Sequence, residues 1–330
     1  MIYSTFGTNR PIVLVLLVIP AVALLVFASF IALPAEHLLG GPTTDALIGW
    51  LSYSDLFRRV GGMVLIMGNA VLLNSLYNKH DFATNQNHYP ALIYLIVVAI
   101  NFDNIDIQPP LFASLFILLA LRRLLLVYRA GNVLSIGFDS ALFLSLGVLF
   151  YPPAAILILL PWFVFVQVRP FNLKEWLVPI TGIALVVFYV FIYYFLGEHS
   201  FMPYEFFDLG IERFTLMSTN GNWSYYLLVS CLLILAAIGV FSFLNRVSKS
   251  NLRKKTTKYI FLWLTFLLGL TTLYSSFLET ICSSNLLLLA LPFSVFSGAL
   301  FAVKSRRPAL PAIMFYSWFA CSILYAIFSN

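Results

Sequence analysis

Charge is what this 330-residue sequence has least of. Asp, Glu, Lys and Arg together make up 10% of it, hydrophobic residues make up 61%, and mean hydropathy is +0.95. A soluble globule carries about 25% charged residues, so this chain lacks the charge to cover a water-facing surface. The same balance excludes a disordered chain, a collagen and a coiled coil. Cysteine is scarce as well. Cys231, Cys282 and Cys321 are odd in number, far apart, and inside or beside apolar runs. They supply neither a disulfide framework nor metal-ligand spacing. A P-loop, a dinucleotide fingerprint, a Ser-His-Asp order and a nucleophilic Cys with a partner His are all missing. No small-residue cleavage site follows the first apolar run, so it reads as a retained helix rather than a signal peptide.

What is there is a long series of apolar segments. A membrane span needs roughly 17–25 mainly apolar residues, and eight segments are clear candidates at or near that length: 12–33, 60–76, 153–168, 176–196, 225–244, 259–277, 286–303 and 309–328. Three shorter ones lie at 89–100, 110–121 and 136–150. The expectation is an all-α polytopic membrane protein with about 11 membrane segments, folded as a single integral membrane domain over residues 1–330. Twelve helical residues cover roughly 18 Å against a hydrocarbon core of about 30 Å. The segments 89–100 and 110–121 are therefore either two short spans or one re-entrant hairpin.

Charge tests the count through the positive-inside rule. With the N-terminus in the cytoplasm, all of the 19 basic residues except Arg58, Arg59 and Arg213 fall on the cytoplasmic side. All of the 13 acids except Asp81, Asp139 and Glu175 fall outside. The C-terminus is then periplasmic, and the net charge of +6 needs no nucleic-acid partner. The basic stretch Asn245–Lys258 reads as the one substantial cytoplasmic loop. Thr43–Phe57 and Pro203–Leu216 carry mixed apolar and acidic stripes that suit helices lying in the outer interface.

The block Phe138-Asp139, Gly147, Leu149-Phe150-Tyr151-Pro152-Pro153, Arg169-Pro170-Phe171-Asn172 and Glu175-Trp176 resembles an uncharacterised family of multi-pass inner-membrane proteins from Bacteroidota. Some relatives carry a carotene monooxygenase label, but that chemistry needs clustered iron-binding histidines. Here His37, His80, His88 and His199 sit on loops expected on different sides. A small-residue helix, a Gly and an aromatic-Pro turn into a further apolar helix also look like the C-type glycosyltransferase superfamily. That resemblance implies a C-type-glycosyltransferase-like fold taking sugars from polyprenyl-phosphate carriers at the outer face. An acidic residue is then expected in the first outer loop and often another in the second. A firm Asp-Glu signature and the family's soluble outer domain are missing here.

Candidate residues follow. Glu36 or Asp45, in the first outer loop, would be the general base for an acceptor hydroxyl; the plainer role is a hydrated residue at the interface. Asp103 and Asp106, three apart, would share one face of a helical turn and hold a divalent cation through oxygen ligands, or simply be solvated. Arg58 and Arg59 break the charge rule at the mouth of the second helix. A guanidinium fork matches phosphate oxygens bidentately, so the pair is expected to clamp a lipid-linked phosphate; the alternative is snorkelling to outer headgroups. Asp139 is expected to pair with Arg122, Arg123 or Arg129, the alternative being a proton or ion site, and Asn69, Asn74 and Gln167 to hydrogen-bond between helices. The functional expectation is a bacterial inner-membrane protein transferring a sugar from a polyprenyl-phosphate-linked substrate to an envelope acceptor, in contact with membrane lipids. The alternative is a noncatalytic subunit whose partners are the other membrane proteins of a secretion or translocation complex. A transporter ranks third, since no inverted repeat is visible.

Overall fold

The computed structural model describes residues 55–80, 82, 86–101, 108–128, 130–196, 237–245, 252–277 and 283–302, together with Phe6 and Tyr316. Among these the secondary structure is helical, without strands, in agreement with the all-α expectation. The helices are α1 (Asp55–Lys79), α2 (Tyr89–Asn101), α3 (Pro109–Leu124), α4 (Leu134–Phe150), the 3₁₀ segment η1 (Pro152–Leu159), α5 (Leu160–Val168), α6 (Leu173–Leu196), α7 (Leu252–Phe277) and α8 (Ser283–Phe301). Residues 237–245 form a further helical stretch. Two helices, Phe57–Lys79 and Leu173–Leu196, are long and apolar enough to cross a membrane. The apolar segments expected at 12–33 and 309–328, and the interfacial stripe at 203–216, lie outside the described residues apart from Tyr316.

Three sequence expectations are corrected. Residues 55–57, assigned to an interfacial helix, open α1 instead, because no breaker separates Asp55 from the apolar periodicity that follows. The basic stretch expected as a loop up to Lys258 is helical from Leu252 onward. Residues 252–258, a Leu followed by Arg, Lys and Thr, include no Gly or Pro, so nothing stops the helix from extending beyond its apolar part. The segment from Pro153 is not one α-helix. Pro152, Pro153 and Pro161 remove backbone donors, and the chain winds as eight residues of 3₁₀ helix before nine of α-helix. That winding lengthens it. With a rise of about 2.0 Å per residue in η1 and 1.5 Å in α5, the pair reaches about 30 Å, against about 26 Å for seventeen α-helical residues.

The short segments form the centre. From Tyr89 to Val98 every α2 side chain is buried except the half-buried Ile96. α2 packs on α1 and α8, and α3 packs on α1, α4 and α8. α2 and α3 are thus not each other's main neighbours, as the arms of a re-entrant hairpin would be. α6 lies at the edge, touching α4 along the stripe Pro179, Gly182, Val186 and Val190. Its other faces expose Leu177, Phe188, Tyr189 and Phe195.

Close approach is set by glycine. A Cβ on Gly182 would stand 2.7 Å from the Phe138 carbonyl oxygen, and one on Gly298 would stand 2.7 Å from Pro90 Cγ. Gly269 has open space around it. Gly182→Ala is therefore expected to push α6 off α4 and destabilise by about 1–3 kcal/mol. Gly269→Ala should be neutral or stabilising by up to about 1 kcal/mol, since Ala is the better helix former. Thermal melts of both variants in one detergent check this; equal melting temperatures would refute the close-packing account.

Candidate functional site

The buried hydrogen bonds that link the central helices start from α1. An amide buried in apolar surroundings must find a partner or forfeit its hydration, and three asparagines on α1 do so in different places. Asn69 Nδ2 donates to the Leu111 carbonyl at 3.1 Å and to Ser114 Oγ at 2.7 Å, both on α3. Ser114 Oγ in turn donates to the Leu111 carbonyl at 2.8 Å. Asn69 and Ser114 are fully buried, so this polar node joins α1 to α3. The Tyr94 hydroxyl of α2 is fully buried beside it and makes no hydrogen bond among the described residues.

Below it, Asn74 Nδ2 lies 2.8 Å from His88 Nδ1, just before α2. A neutral imidazole accepting at Nδ1 carries its proton on Nε2. The His88 backbone N–H donates to the Phe6 carbonyl at 2.9 Å. One turn further, Asn78 Nδ2 donates to the Asn87 carbonyl and Asn78 Oδ1 accepts from the Asn87 N–H. Asn87 Oδ1 then accepts from the N–H of Tyr89, the first residue of α2. His88, expected on a loop, is thus a buried anchor of the α1–α2 connection.

A second set of contacts aligns the helix ends. Arg123 Nε stands 3.2 Å from Asp139 Oδ2, which joins the end of α3 to the start of α4 as the sequence indicated. Both side chains are partly exposed, and the bond is worth little as stability. Arg169 Nη2 donates to the Ala130 carbonyl between α3 and α4. Trp263 Nε1 donates to Gln167 Oε1 at 3.0 Å, tying the end of α5 to α7. The Phe82 ring, just beyond α1, meets Phe261 of α7 edge-on at 4.7 Å. Lys258 Nζ lies 5.8 Å from the centre of the Phe243 ring, a cation–π contact at the same end. Lys79, Arg122, Arg123, Arg169, Lys174, Lys255 and Lys258 therefore share one end of the bundle.

Arg58 and Arg59 belong to the opposite end. They sit half-buried in the first turns of α1. α1 continues about 20 Å beyond Asn69 toward Asp55, whereas α3 begins within about 6 Å of that level at 1.5 Å per residue. Gln108, Pro109 and Pro110, where the chain enters α3, are buried. The entry to α3 is thus sunk below the arginine pair. Asp103 and Asp106, expected as cation ligands on the α2–α3 connection, lie outside the described residues, as do Glu36 and Asp45. The structure therefore places only the arginines of the expected composite site. Among the described residues no three His, Cys, Asp or Glu side chains converge on a metal position.

The match to known families covers nearly all of this architecture. Residues 46–328 match the family described as "Family of unknown function (DUF6427)". The chain belongs to that family. No curated protein and no solved structure matches it.

Sequence reading singled out Asn69 and Asn74 but passed over Tyr94, Ser114, Asn78 and Asn87. The available signal was the spacing of Asn69, Asn74 and Asn78 along one apolar helix. Asn69→Ala should destabilise by about 1–3 kcal/mol, because Leu111 and Ser114 lose a buried donor. Ser114→Ala should cost less, and the double variant should show coupling of about 0.5–2 kcal/mol. Unfolding of the four proteins in one double-mutant cycle measures this, and strict additivity would dissolve the node.

Proposed function

We propose that this protein is a multi-pass protein of the bacterial inner membrane, N-terminus inside and C-terminus in the periplasm, that binds a lipid-linked phosphate at its outer face. The observation that carries the reading is the placement of Arg58 and Arg59. Two cations at the start of a long apolar helix oppose both its macrodipole and the usual distribution of positive charge. A phosphate offsets both costs, since guanidinium forks and helix N-termini bind the same anion. The chemistry that suits such a ligand is glycosyl transfer from a polyprenyl phosphate to an envelope acceptor. Glu36 or Asp45 would act as base, and Asp103 and Asp106 would hold a divalent cation or support the charge. The lengths of α1, α6, α7 and the η1–α5 pair all suit a hydrocarbon core of about 30 Å, and the charge partition supports the orientation.

The second reading is a noncatalytic subunit of a larger membrane assembly. The exposed aromatic faces of α6 favour it, because they suit neighbouring helices as well as lipid.

Two measurements test these readings. Arg58→Gln with Arg59→Gln should abolish complementation of a deletion strain at normal protein level, and the double Lys variant should rescue in part, having charge without the fork. Full complementation by the double Gln variant moves the conclusion to the subunit. For orientation, Asp208→Cys in a Cys-free background should react with an impermeant maleimide in spheroplasts. Ser250→Cys should react only after permeabilisation, and the opposite pattern would invert the topology.

A further inference from the structure

We infer that the end of the bundle opposite Arg58 and Arg59 is a binding surface for acidic phospholipid, centred on the α5–α6 turn and the first turns of α6. The inference rests on the membrane reading above and adds a second, headgroup-specific contact to it. Three observations point to a lipid rather than to an acidic protein. First, Lys174 is exposed at the start of α6, and one helical face continues from it through Leu177, Thr181, Leu185 and Phe188, all of them exposed. A cation followed by about 20 Å of mainly apolar surface along one face complements an anionic headgroup with its acyl chain.

Second, the turn is rigid and amphipathic. Asn172 Oδ1 accepts from the Lys174 N–H, Arg169 is fixed on the Ala130 carbonyl, and Trp162 Nε1 donates to the Trp176 carbonyl. Phe171 is left 69% exposed with its ring 5.0 Å from Trp176. Exposed aromatics beside cations are what membrane interfaces collect. Third, the cations of this end outnumber its described acids. Of those acids Asp139 is paired with Arg123 and Glu175 is half-buried next to Lys174, while Arg122 is exposed and Lys255 half-buried. α7 starts about 13 Å below Phe261, the level of the aromatic contact with Phe82, so its basic first turn reaches past the apolar bundle to headgroup depth.

The test uses the full-length protein, purified in mild detergent, delipidated and returned to vesicles of phosphatidylcholine with or without phosphatidylglycerol. Lipid retained on re-extraction is read by native mass spectrometry. The wild-type protein should retain phosphatidylglycerol in preference to phosphatidylcholine, less so at high salt. Lys174→Gln should lower the preference roughly fivefold, the value of one cation at an anionic surface. Adding Arg122→Gln and Lys255→Gln should remove it, with circular dichroism unchanged. Equal retention of both lipids by the wild type would overturn the inference, as would full preference in the triple variant. Loss of the preference only in the Arg58/Arg59 variant would overturn it too and assign the lipid to the outer mouth. The membrane reading fails on a separate result: release of the protein from native membranes by alkaline carbonate.

Discussion

The asparagine row of α1 is the constraint on which the rest of the structure depends. A helix as apolar as α2, buried on every side, can be placed anywhere along its neighbours by packing alone. Hydrogen bonds remove that freedom. Asn69 fixes the height of α3 through Leu111 and Ser114, Asn74 fixes His88, and Asn78 clasps the backbone of Asn87. Each amide finds a partner only at one register, and a slip of one turn would leave several buried donors unmet at about 1–3 kcal/mol each. Apolar burial thus gives the centre its cohesion and three side-chain amides give it its address.

From that register the levels of the other helices follow. The chain reverses from α1 into α2 and again from α2 into α3, so α1 and α3 run parallel. Asn69 and Ser114 each stand ten residues before the end of their helix, and the two finish together about 15 Å further on. The α3 end meets α4 at the Arg123–Asp139 pair, and α5 meets α7 at Gln167 and Trp263. The cations gather at one end because alternate helices end there. At the other end the lengths no longer match, since α2 and α3 stop well short of the start of α1. In the membrane reading proposed above, Arg58 and Arg59 then stand farther out than the ends of the short helices.

Much of this was legible in the residues. The helical class follows from scarcity of charge, and the segments 60–76, 110–121, 136–150 and 176–196 each fall inside a helix a few residues longer. Asp139 with arginine and Gln167 between helices were readable as polar groups that an apolar segment retains only with a partner. Other features were hidden for physical reasons. Hydropathy records how apolar residues are and not how tightly they wind, so the 3₁₀ turn of Pro152–Leu159 looked like an ordinary helix. It also stops counting where charge begins, although a helix does not, and so it missed the start of α7 at Leu252. Tyr94 and Ser114 are individually common in apolar helices. Only the fold, by bringing three helices together at Asn69, sets them side by side.

Packing completes what the amides begin. Where lipid surrounds a bundle, apolar faces gain nothing from leaving water, and association rests on close contact and on polar pairs. Both devices are present here and they occupy different seams. The hydrogen bonds join α1 to α2 and α3, while glycines bring the outer helices close: Gly298 of α8 against Pro90, Gly147 of α4 against Ala113, Gly182 of α6 against Phe138. Among the described residues the α1–α2, α1–α3, α2–α8 and α3–α4 seams are each closed by one device or the other. An interior held at that many points positions its ends precisely and has little freedom to open. Charge follows the same division among the described residues, with Arg58 and Arg59 at one end and the cation cluster at the other. Among the described residues the helices between the two ends thus act as a spacer, their contacts being apolar packing and the few hydrogen bonds named above.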